Sequence, residues 1–508
     1  MAFVEGTDTD DTLDGTTSGD VIRGGLGDDV IYGKGGPDKI SGGAGNDTIY
    51  ISYDLLYALG GGGNDRFVAE GLALNSTYQA RVTGGAGRDE FDATRISAGA
   101  NYLFFTDTGA RNTFQVGSYI VDEVEIVRGG SGPNWFLLQK FDYGVTAYGA
   151  NYNDVFYLSP GGGNVSYGYG GDDTFTVWNR DKAYGGTGND QFNIALGGGT
   201  GTLVDGGEGV DSITFSFGTV DLDRGLAFRP WGEPVRLIDI ENVTAHRGSR
   251  LLGNDADNIL TTPYGSIDQG SHLDGRGGDD TLIGSDLGDT LIGGAGNDTL
   301  IGGAGGYDIM DGGTGADTVV FMEGTQVIAT LTDTGSSKFT IDGVDRGEMK
   351  NIENLTGGGF NDILTGNSKA NRLEGGSGDD VMDGGRGNDT LVDGFGYDIM
   401  TGGEGSDRFM FTDNGALVGE PITVEITDFE QGLDRIILTA IDANTLVEGN
   451  QAFRFIGEEA FHGRAGELRF VRADAITLIY GDLNGDRVDD FNIQLDGVIN
   501  LVASDFSL

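Results

Sequence analysis

The chain has 508 residues, of which 95 are glycine and none is cysteine. With 80 acidic residues against 31 lysines and arginines, the formal net charge is -49, which excludes nucleic acid and anionic membrane surfaces as partners. The missing cysteines exclude disulfides and thiol catalysis. The first residues show no positive segment followed by an apolar one, and no apolar run reaches the length of a membrane span. We therefore expect neither an N-terminal signal peptide nor membrane insertion.

Residues 1–49 form the first regular block. Aspartates recur every nine residues, at Asp11, Asp20, Asp29, Asp38 and Asp47, and an apolar residue stands two positions after each, at Leu13, Ile22, Ile31, Ile40 and Ile49. Since residues two apart lie on the same face of a strand, this spacing predicts short strands with one apolar face. Two nonapeptides then make one solenoid turn of about 18 residues, and successive turns stack about 4.8 Å apart.

The most regular copies of the repeat are GGAGNDTIY at residues 42–50 and GGAGNDTLI at residues 293–301. They resemble the calcium-binding nonapeptide of RTX proteins, and this resemblance implies multiple bound Ca²⁺ ions. The chemistry agrees, because glycines let a turn point carbonyl oxygens inward and aspartate adds a hard anionic ligand. A single copy could be a plain hairpin turn or a phosphate cradle, but many copies in phase favour calcium. We expect the calcium-free chain to be largely unfolded, because its stacked carboxylates repel one another and its glycines are costly to order.

In the second segment, residues 50–260, the Gly-Asp turns persist at wider spacing. The candidate ligands are Asp65, Asp89, Asp173, Asp190 and Asp211. Asp154 lies in a similar sequence motif. Phenylalanine now occupies most of the inward positions, at Phe67, Phe91, Phe156, Phe175 and Phe192. We interpret this segment as a widened, irregular and partly metal-free β-solenoid with metal loops on one edge, in which phenylalanine fills the larger core. The alternative is a decayed repeat whose phenylalanines only pack.

The regular repeat returns in residues 261–415. Its candidate calcium ligands are Asp280, Asp289, Asp298, Asp308, Asp317, Asp362, Asp380, Asp389, Asp398 and Asp407, and Asn371 occupies one further position. One insert, residues 318–356, interrupts the repeat. Its alternating segments, at residues 327–331 and 338–341, predict paired strands that continue the stack.

A longer period underlies the short one. Similar acidic-hydrophobic strands contain Glu125, Glu241 and Glu353, which recur every 112 to 116 residues. The position nine residues after each glutamate holds Asn134, Arg250 or Asp362. The sequence therefore indicates a triplicated module, and only its last copy has an aspartate, Asp362, at this position.

Residues 416–508 have another character, with less glycine. The segment resembles the C-terminal domain of serralysin-type secreted metalloproteases at the following residues: Asp428, Phe429, Gly432, Asp434, Ile441, Asp442, Gln451, Ala452, Phe453, Gly466, Leu468, Gly481, Asp482 and the terminal Asp505-Phe506-Ser507-Leu508. In that family the domain caps the β-roll and carries an uncleaved signal for type I export. The resemblance therefore implies a secreted protein of a Gram-negative bacterium and a type I exporter as partner.

One loop of this last segment has the spacing of an EF-hand-like site. Asp482, Asn484, Asp486 and Asp490 fall at loop positions 1, 3, 5 and 9, whereas Gln494 stands where a bidentate glutamate is usual. The loop could hold one more calcium ion, or it could be a tight Asn-Gly turn between two strands.

The motifs of several enzyme classes are missing. The three histidines, His246, His272 and His462, lie far apart and none belongs to HExxH, so the protease domain of the serralysin family is absent. GxSxG and P-loop motifs are also missing. We therefore expect no catalytic site. A polysaccharide-active β-helix remains the alternative, with candidate sugar-stacking residues Trp135, Tyr143, Tyr148, Tyr152, Trp178 and Trp231.

We expect an all-β fold, a parallel β-roll and β-helix solenoid with bound calcium and a C-terminal β-rich capping and secretion domain. The function that fits best is a secreted calcium-binding structural protein that self-associates outside the cell as a surface layer, matrix or adhesin. Exposed solenoid ends and edges offer backbone groups for association, and we expect the N-terminal end, which has no evident cap, to be the main contact. The alternative is a protein that binds or modifies exopolysaccharide.

Overall fold

The computed structural model describes residues 1–52, 54–70, 80–96, 102–106, 118–138, 144–157, 163–195, 200–230, 232–264, 268–321, 324, 326–412 and 423–508. The chain divides into two compact units, Met1–Ala245 and His246–Leu508. Both consist of β-strands, and the described residues contain one short helix, the 3-10 turn Ala503–Asp505. Within these ranges no helix is long and apolar enough to cross a membrane.

Successive strands of the first unit alternate between two sheets. In spatial order, one sheet contains Phe3–Glu5, Val21–Leu26, Lys39–Ala44, Tyr57–Gly62, Ala80–Ala86, Ser118–Asp122, Tyr102–Thr106, Asn134–Leu138, Val155–Tyr157, Thr174–Val177, Gln191–Ile194, Ser212–Phe215 and Asn242–His246. The other contains Thr12–Asp14, Val30–Tyr32, Thr48–Ile51, Arg66–Ala69, Glu90–Asp92, Ile126–Arg128, Thr146–Tyr148, Val165–Gly170, Lys182–Thr187, Leu203–Glu208, Val235–Ile238, Leu226–Phe228 and Thr219–Asp221. These neighbours are parallel except around Leu226–Phe228, which is antiparallel to both adjacent strands.

The second unit repeats this arrangement. One sheet contains Ile259–Tyr264, Thr281–Ile283, Thr299–Ile301, Thr318–Val320, Asn354–Thr356, Arg372–Glu374, Thr390–Val392, Arg408–Met410, Arg435–Ile437 and Phe506–Ser507, all parallel. The other contains Arg250–Leu252, His272–Gly277, Thr290–Ala295, Asp308–Thr314, Val344–Lys350, Ser337–Ile341, Val327–Thr330, Ile363–Thr365, Val381–Asp383, Ile399–Thr401, Thr423–Ile426, Phe491–Asp496, Ile476–Asp482, Glu467–Arg472 and Arg454–Phe455.

The register confirms the predicted β-roll. Val30 pairs with Thr48 and Lys39 pairs with Tyr57, each 18 residues further along the chain. The inward positions coincide in successive turns, so that Ile31 lies beside Ile49 and both are completely buried. The nine-residue period therefore produces an apolar core between two parallel sheets.

Phenylalanines fill the core in the irregular part of the first unit. Phe136, Phe156, Phe175 and Phe192 occupy adjacent strands and form a stacked ladder with ring centroids 4.6, 4.6 and 4.8 Å apart. Each is buried. Parallel strands place the same side chain at the strand spacing, which is close enough for offset stacking.

Two groups of antiparallel strands depart from the roll in the second unit. In the insert, Ser337–Ile341 is antiparallel to both Val327–Thr330 and Val344–Lys350. Near the C-terminus, Ile476–Asp482 is antiparallel to both Glu467–Arg472 and Phe491–Asp496. The first group lies within a sheet of the roll, and the second closes the same sheet.

Candidate calcium sites

The repeat aspartates are linked from turn to turn by hydrogen bonds. The amide N–H of Asp29 donates to Oδ1 of Asp47, one turn later, at 2.9 Å. Equivalent bonds join Asp280 to Asp298 and Asp298 to Asp317, both at 2.9 Å. Each carboxylate in these turns is thus held by the backbone of the preceding turn, and all of these aspartates are buried.

The second oxygen of many of these carboxylates has no hydrogen-bond partner, although it is buried. This open class of turns contains Asp29, Asp38, Asp47, Asp65, Asp89, Asp173, Asp190, Asp211, Asp280, Asp298, Asp317, Asp380, Asp389 and Asp407. Burial raises the pKa of Asp47 and of Asp380 to about 7 and that of Asp173 to about 8. A buried anionic oxygen without a donor is unfavourable unless a cation neutralises it.

A carbonyl oxygen from the next turn approaches most of these carboxylates. A Cβ added at Gly42 would lie 2.1 Å from Oδ2 of Asp47 and 2.8 Å from the carbonyl oxygen of Gly60. At Gly293 the corresponding distances, to Asp298 Oδ2 and the Gly312 oxygen, are 2.2 and 2.5 Å. Carboxylate and carbonyl oxygens from two adjacent turns therefore converge, and these are the ligands that Ca²⁺ prefers.

Backbone conformation distinguishes the open turns from the others. In every open turn the residue four positions before the aspartate has a positive φ, from 67° at Lys34 to 125° at Gly43. Glycine also stands two and five positions before each of these aspartates. With this backbone conformation, the N–H of the fourth preceding residue does not reach Oδ2.

In a closed class of turns that N–H does reach the carboxylate. Oδ2 accepts the amide N–H four residues earlier at Asp11, Asp20, Asp154, Asp289, Asp362, Asp398 and Asp434. At Asp289 the hydroxyl group of Ser285 donates as well, at 3.0 Å. At Asp20 the amide N–H of Ala2 and the hydroxyl group of Thr16 both donate to the carboxylate and lower its pKa. Protein donors thus satisfy an oxygen that is unpaired in the open turns.

The comparison with protein families agrees with this geometry. The RTX calcium-binding nonapeptide repeat matches residues 5–40, 26–50, 274–307, 283–319, 356–391 and 387–412. The chain carries RTX calcium-binding repeats. RTX repeats bind calcium, so the chain binds several calcium ions, as predicted, and the open turns offer the oxygen ligands that this requires.

Two solved structures are similar to parts of the chain. A subunit of the mannuronan C5-epimerase from Azotobacter vinelandii is 24% identical, with a TM-score of 0.22, and the match covers 29% of this chain and 78% of that one. The extracellular lipase of Serratia marcescens is 14% identical, with a TM-score of 0.19, covering 52% of this chain and 40% of that one. No curated protein sequence matches the chain.

Within the described ranges, no group of three or more His, Cys, Asp or Glu side chains could hold a metal ion. The oxygens that converge between two open turns, such as Asp47 Oδ2 and the Gly60 carbonyl oxygen, belong to one side chain and to the backbone. Of the remaining predicted ligands, Asp308 lies in a turn that is one residue longer. Its Oδ1 accepts the N–H of Asp289 at 2.8 Å, and burial raises its pKa to about 7.

The EF-hand-like loop in the C-terminal segment is a hairpin connection. Backbone amides of the loop donate to both oxygens of Asp482, to Asn484 Oδ1 and to Asp486 Oδ1. Asp490 accepts the amide N–H of Leu483 at 2.6 Å and the side-chain amide of Asn484 at 2.9 Å. These oxygens thus stabilise the turn between two antiparallel strands, and a calcium ion here remains only a prediction.

Several ladder residues were not among the predicted ligands. Asn134, Asp154 and Asp434 occupy ladder positions. On the other edge of the first unit, the N–H of Asn164 donates to Asp181 at 2.8 Å. Their spacing of 17 to 27 residues from neighbouring ladder positions is the signal that could have identified them.

Proposed function

We propose that this chain is a secreted structural protein whose calcium-induced folding drives extracellular assembly, as a surface layer, a matrix or an adhesin. The observation that carries the proposal is the series of buried carboxylate oxygens without donors in the open turns. Calcium neutralises these oxygens and joins successive turns. The free energy of calcium binding therefore contributes directly to folding.

The mechanism has two stages. In a cytoplasm with little free calcium the repeats stay unfolded, and the chain passes through a type I exporter that recognises its C-terminal segment. The resemblance of residues 416–508 to the serralysin-type export domain supports this route. Outside the cell, millimolar calcium folds the repeats and screens the large negative charge that otherwise keeps copies apart.

An exposed apolar stripe supports lateral association. Ile328, Ile363, Val381 and Ile399 lie side by side in four adjacent strands of the second unit. The first three are 37%, 37% and 38% exposed. A row of exposed β-branched residues on a parallel sheet offers an apolar surface to a second copy. We therefore propose this apolar stripe as a lateral contact between copies, in addition to the contact at the N-terminal end that the sequence predicts.

Electron microscopy and sedimentation of the full chain test the proposal. Samples at equal concentration in chelator and in millimolar calcium should give ordered sheets or filaments only with calcium. Ile363→Lys should reduce assembly while leaving the calcium-dependent circular dichroism unchanged. Val447→Lys, at a position that is 53% exposed and outside the apolar stripe, serves as the control. Folded, monodisperse monomers in calcium would contradict the structural role.

A second candidate function, binding of a saccharide, is supported by a cavity of about 400 Å³ in the first unit. Tyr167, Tyr169 and Tyr184 line it together with Glu208 and Asp239. Tyrosine rings and carboxylates are suitable partners for sugar rings and hydroxyl groups. A screen of polysaccharides for binding and cleavage, with Tyr184→Ala as the variant, separates this function from the structural one.

The other aromatic residues of the saccharide hypothesis have different settings. Trp135 and Tyr152 are 50% and 44% exposed. Tyr148 stacks on Tyr167, and the guanidinium group of Arg128 lies 4.3 Å from its ring centroid. Nε1 of Trp178 is buried without a partner. Tyr143 and Trp231 lie outside the described residues.

A further inference from the structure

Each of three aspartate ladders ends on a glutamate. The N–H of the last aspartate donates to Oε2 of a glutamate instead of to Oδ1 of another aspartate. The pairs are Asp89 with Glu125 at 2.7 Å, Asp211 with Glu241 at 2.7 Å, and Asp317 with Glu353 at 3.2 Å. These glutamates are the ones that recur every 112 to 116 residues, and the family match to the RTX repeat includes none of them.

The strand register places each glutamate where a nonapeptide places its aspartate. Glu90, directly after Asp89, pairs with Ile126, directly after Glu125. In the same way, Ser212 pairs with Asn242 and Thr318 with Asn354. The glutamate thus lies beside the last aspartate, in the ladder position of the next turn.

The backbone before the glutamate also reproduces an RTX turn. A Cβ added at Gly84 would lie 1.9 Å from the carbonyl oxygen of Glu123 and 2.4 Å from Oδ2 of Asp89. At Gly60, one turn earlier, the atoms at this place are the carbonyl oxygen of Gly84 and Oδ2 of Asp65, at 2.5 and 2.2 Å. The carbonyl two residues before the glutamate therefore replaces the glycine carbonyl of a regular turn.

The other two copies have the same geometry. Near Gly206 the converging atoms are the carbonyl oxygen of Asp239 and Oδ2 of Asp211, at 2.1 and 2.4 Å. Near Gly312 they are the oxygen of Asn351 and Oδ2 of Asp317, at 2.2 and 2.5 Å. Glu123, Asp239 and Asn351 all have a positive φ, of 52°, 47° and 52°. This conformation lets a short segment without glycine present the required carbonyl.

We propose that each of these glutamates completes a terminal calcium site, formed between the last open turn of a ladder and the short segment that precedes the glutamate. The ligands on this chain are Oδ2 of the last aspartate, the carbonyl oxygen two residues before the glutamate, and the glutamate carboxylate. In the third copy the ion displaces the exposed Nζ of Lys369, which donates to Oε1 of Glu353 at 2.8 Å. Oδ2 of Asp89, Asp211 and Asp317 is buried without a partner and points into the site. The inference rests on calcium binding by the RTX repeats and does not depend on assembly.

A purely structural role for the glutamates predicts different behaviour. In that case Oε2 would only accept the last N–H of the ladder, and no ion would be involved. Glutamine retains an oxygen that can accept this N–H but carries no charge. Glu→Gln therefore separates a calcium ligand from a hydrogen-bond cap, whereas Glu→Ala removes both.

The test is the number of calcium ions bound per chain, measured by equilibrium dialysis and elemental analysis of the full-length protein. The triple variant Glu125→Gln, Glu241→Gln, Glu353→Gln should bind three fewer ions than the unsubstituted chain. The control is Glu70→Gln, Glu233→Gln, Glu448→Gln, which removes the same charge at exposed positions. It should bind the full number.

If the triple variant binds as many calcium ions as the unsubstituted chain, the inference is wrong. The glutamates would then only accept the last N–H of each ladder. If the triple variant does not fold in calcium, the single variant Glu125→Gln should bind one ion fewer than the unsubstituted chain. A single variant that binds the full number of ions would also overturn the inference. Failure of the unsubstituted protein to assemble would contradict the proposed function without affecting this count. The two ideas therefore fail separately.

Discussion

Oδ1 of Asp47 lies 2.9 Å from the amide nitrogen of Asp29, whereas Oδ2 of the same carboxylate has no hydrogen-bond donor. The two oxygens therefore have separate tasks. Oδ1 fixes the side chain between two turns, and Oδ2 is left with a negative charge in a buried place. That charge requires a proton or a cation, and the choice between them makes folding dependent on pH and on calcium.

We expect aspartates of open and closed turns to respond differently to loss of charge. Asp298→Asn keeps an oxygen for the N–H of Asp280 but removes the anionic Oδ2. It should raise the calcium midpoint of folding about tenfold, or ~1.4 kcal/mol. Asp11→Asn is the matched control from a closed turn, because its remaining oxygen can still accept the N–H and the hydroxyl group of Thr7. Circular dichroism during calcium titration measures both, and equal shifts would contradict the division into two classes.

The calcium-free protein should gain β-structure as the pH falls. Burial raises the pKa of Asp280, Asp380 and Asp389 to about 7, above the ordinary value of 3.8 that applies in the unfolded chain. The folded form therefore binds more protons, so this contribution to stability is full below the unfolded pKa and is lost as the pH rises through about 7.

Circular dichroism in calcium-free buffer between about pH 8 and about pH 5 measures this dependence. With saturating calcium the β-signal should already be present at the upper end of this range, since the ion replaces the proton. A calcium-free spectrum that does not change with pH would show that these carboxylates do not control folding.

Glycine at the turns should be necessary where the next backbone is close. Gly296 has a φ of 137°, and an added Cβ would lie 2.0 Å from the carbonyl oxygen of Gly278. Gly296→Ala should destabilise the folded state by at least ~1–2 kcal/mol, the cost of a left-handed conformation alone. Gly359, which has no atom within 4 Å of an added Cβ, provides the control Gly359→Ala. Urea unfolding in saturating calcium compares the variants, and equal midpoints would be the adverse result.

The phenylalanine ladder should be important for the stability of the first unit. Phe175 stacks on both Phe156 and Phe192 and is completely buried. Phe175→Ala should lower the free energy of unfolding by ~3–5 kcal/mol. Phe228, which is 41% exposed, gives the control Phe228→Ala, with an expected effect within ~0.5 kcal/mol. Calorimetry or urea unfolding in calcium measures the stability of both variants. Equal losses of stability would show that the phenylalanine ladder is not important for the stability of the first unit.

Much of the fold follows from the spacing of two residue types. Aspartate every nine residues and an apolar residue two places later predicted the strands, their inward face and the 18-residue register of Val30 with Thr48. The antiparallel partners of Ser337–Ile341 were only partly visible in the sequence. Pairing there depends on contacts that alternation alone does not specify.

The two classes of turn illustrate what remained hidden. Every open turn has glycine two and five positions before the aspartate. The sequence alone does not show that, in these turns, the amide N–H of the fourth preceding residue points away from Oδ2. The recurrence of Glu125, Glu241 and Glu353 was visible, whereas their role was not, because Glu125 meets Asp89 across 36 residues of chain. Contacts of this kind depend on how many residues the intervening loops contain.

The ladder of N–H bonds to Oδ1 has a direction. Each carboxylate holds the turn that precedes it in the chain, so a roll growing from its C-terminal side always presents a fixed acceptor to the incoming turn. If the roll grows from its N-terminal side, the last folded turn offers an unpaired backbone N–H. The bond then forms only when the aspartate side chain of the incoming turn has become ordered. If the proposed export delivers the C-terminus first, each incoming turn meets an acceptor that is already in place, and its N–H bond to that acceptor opposes detachment of the turn.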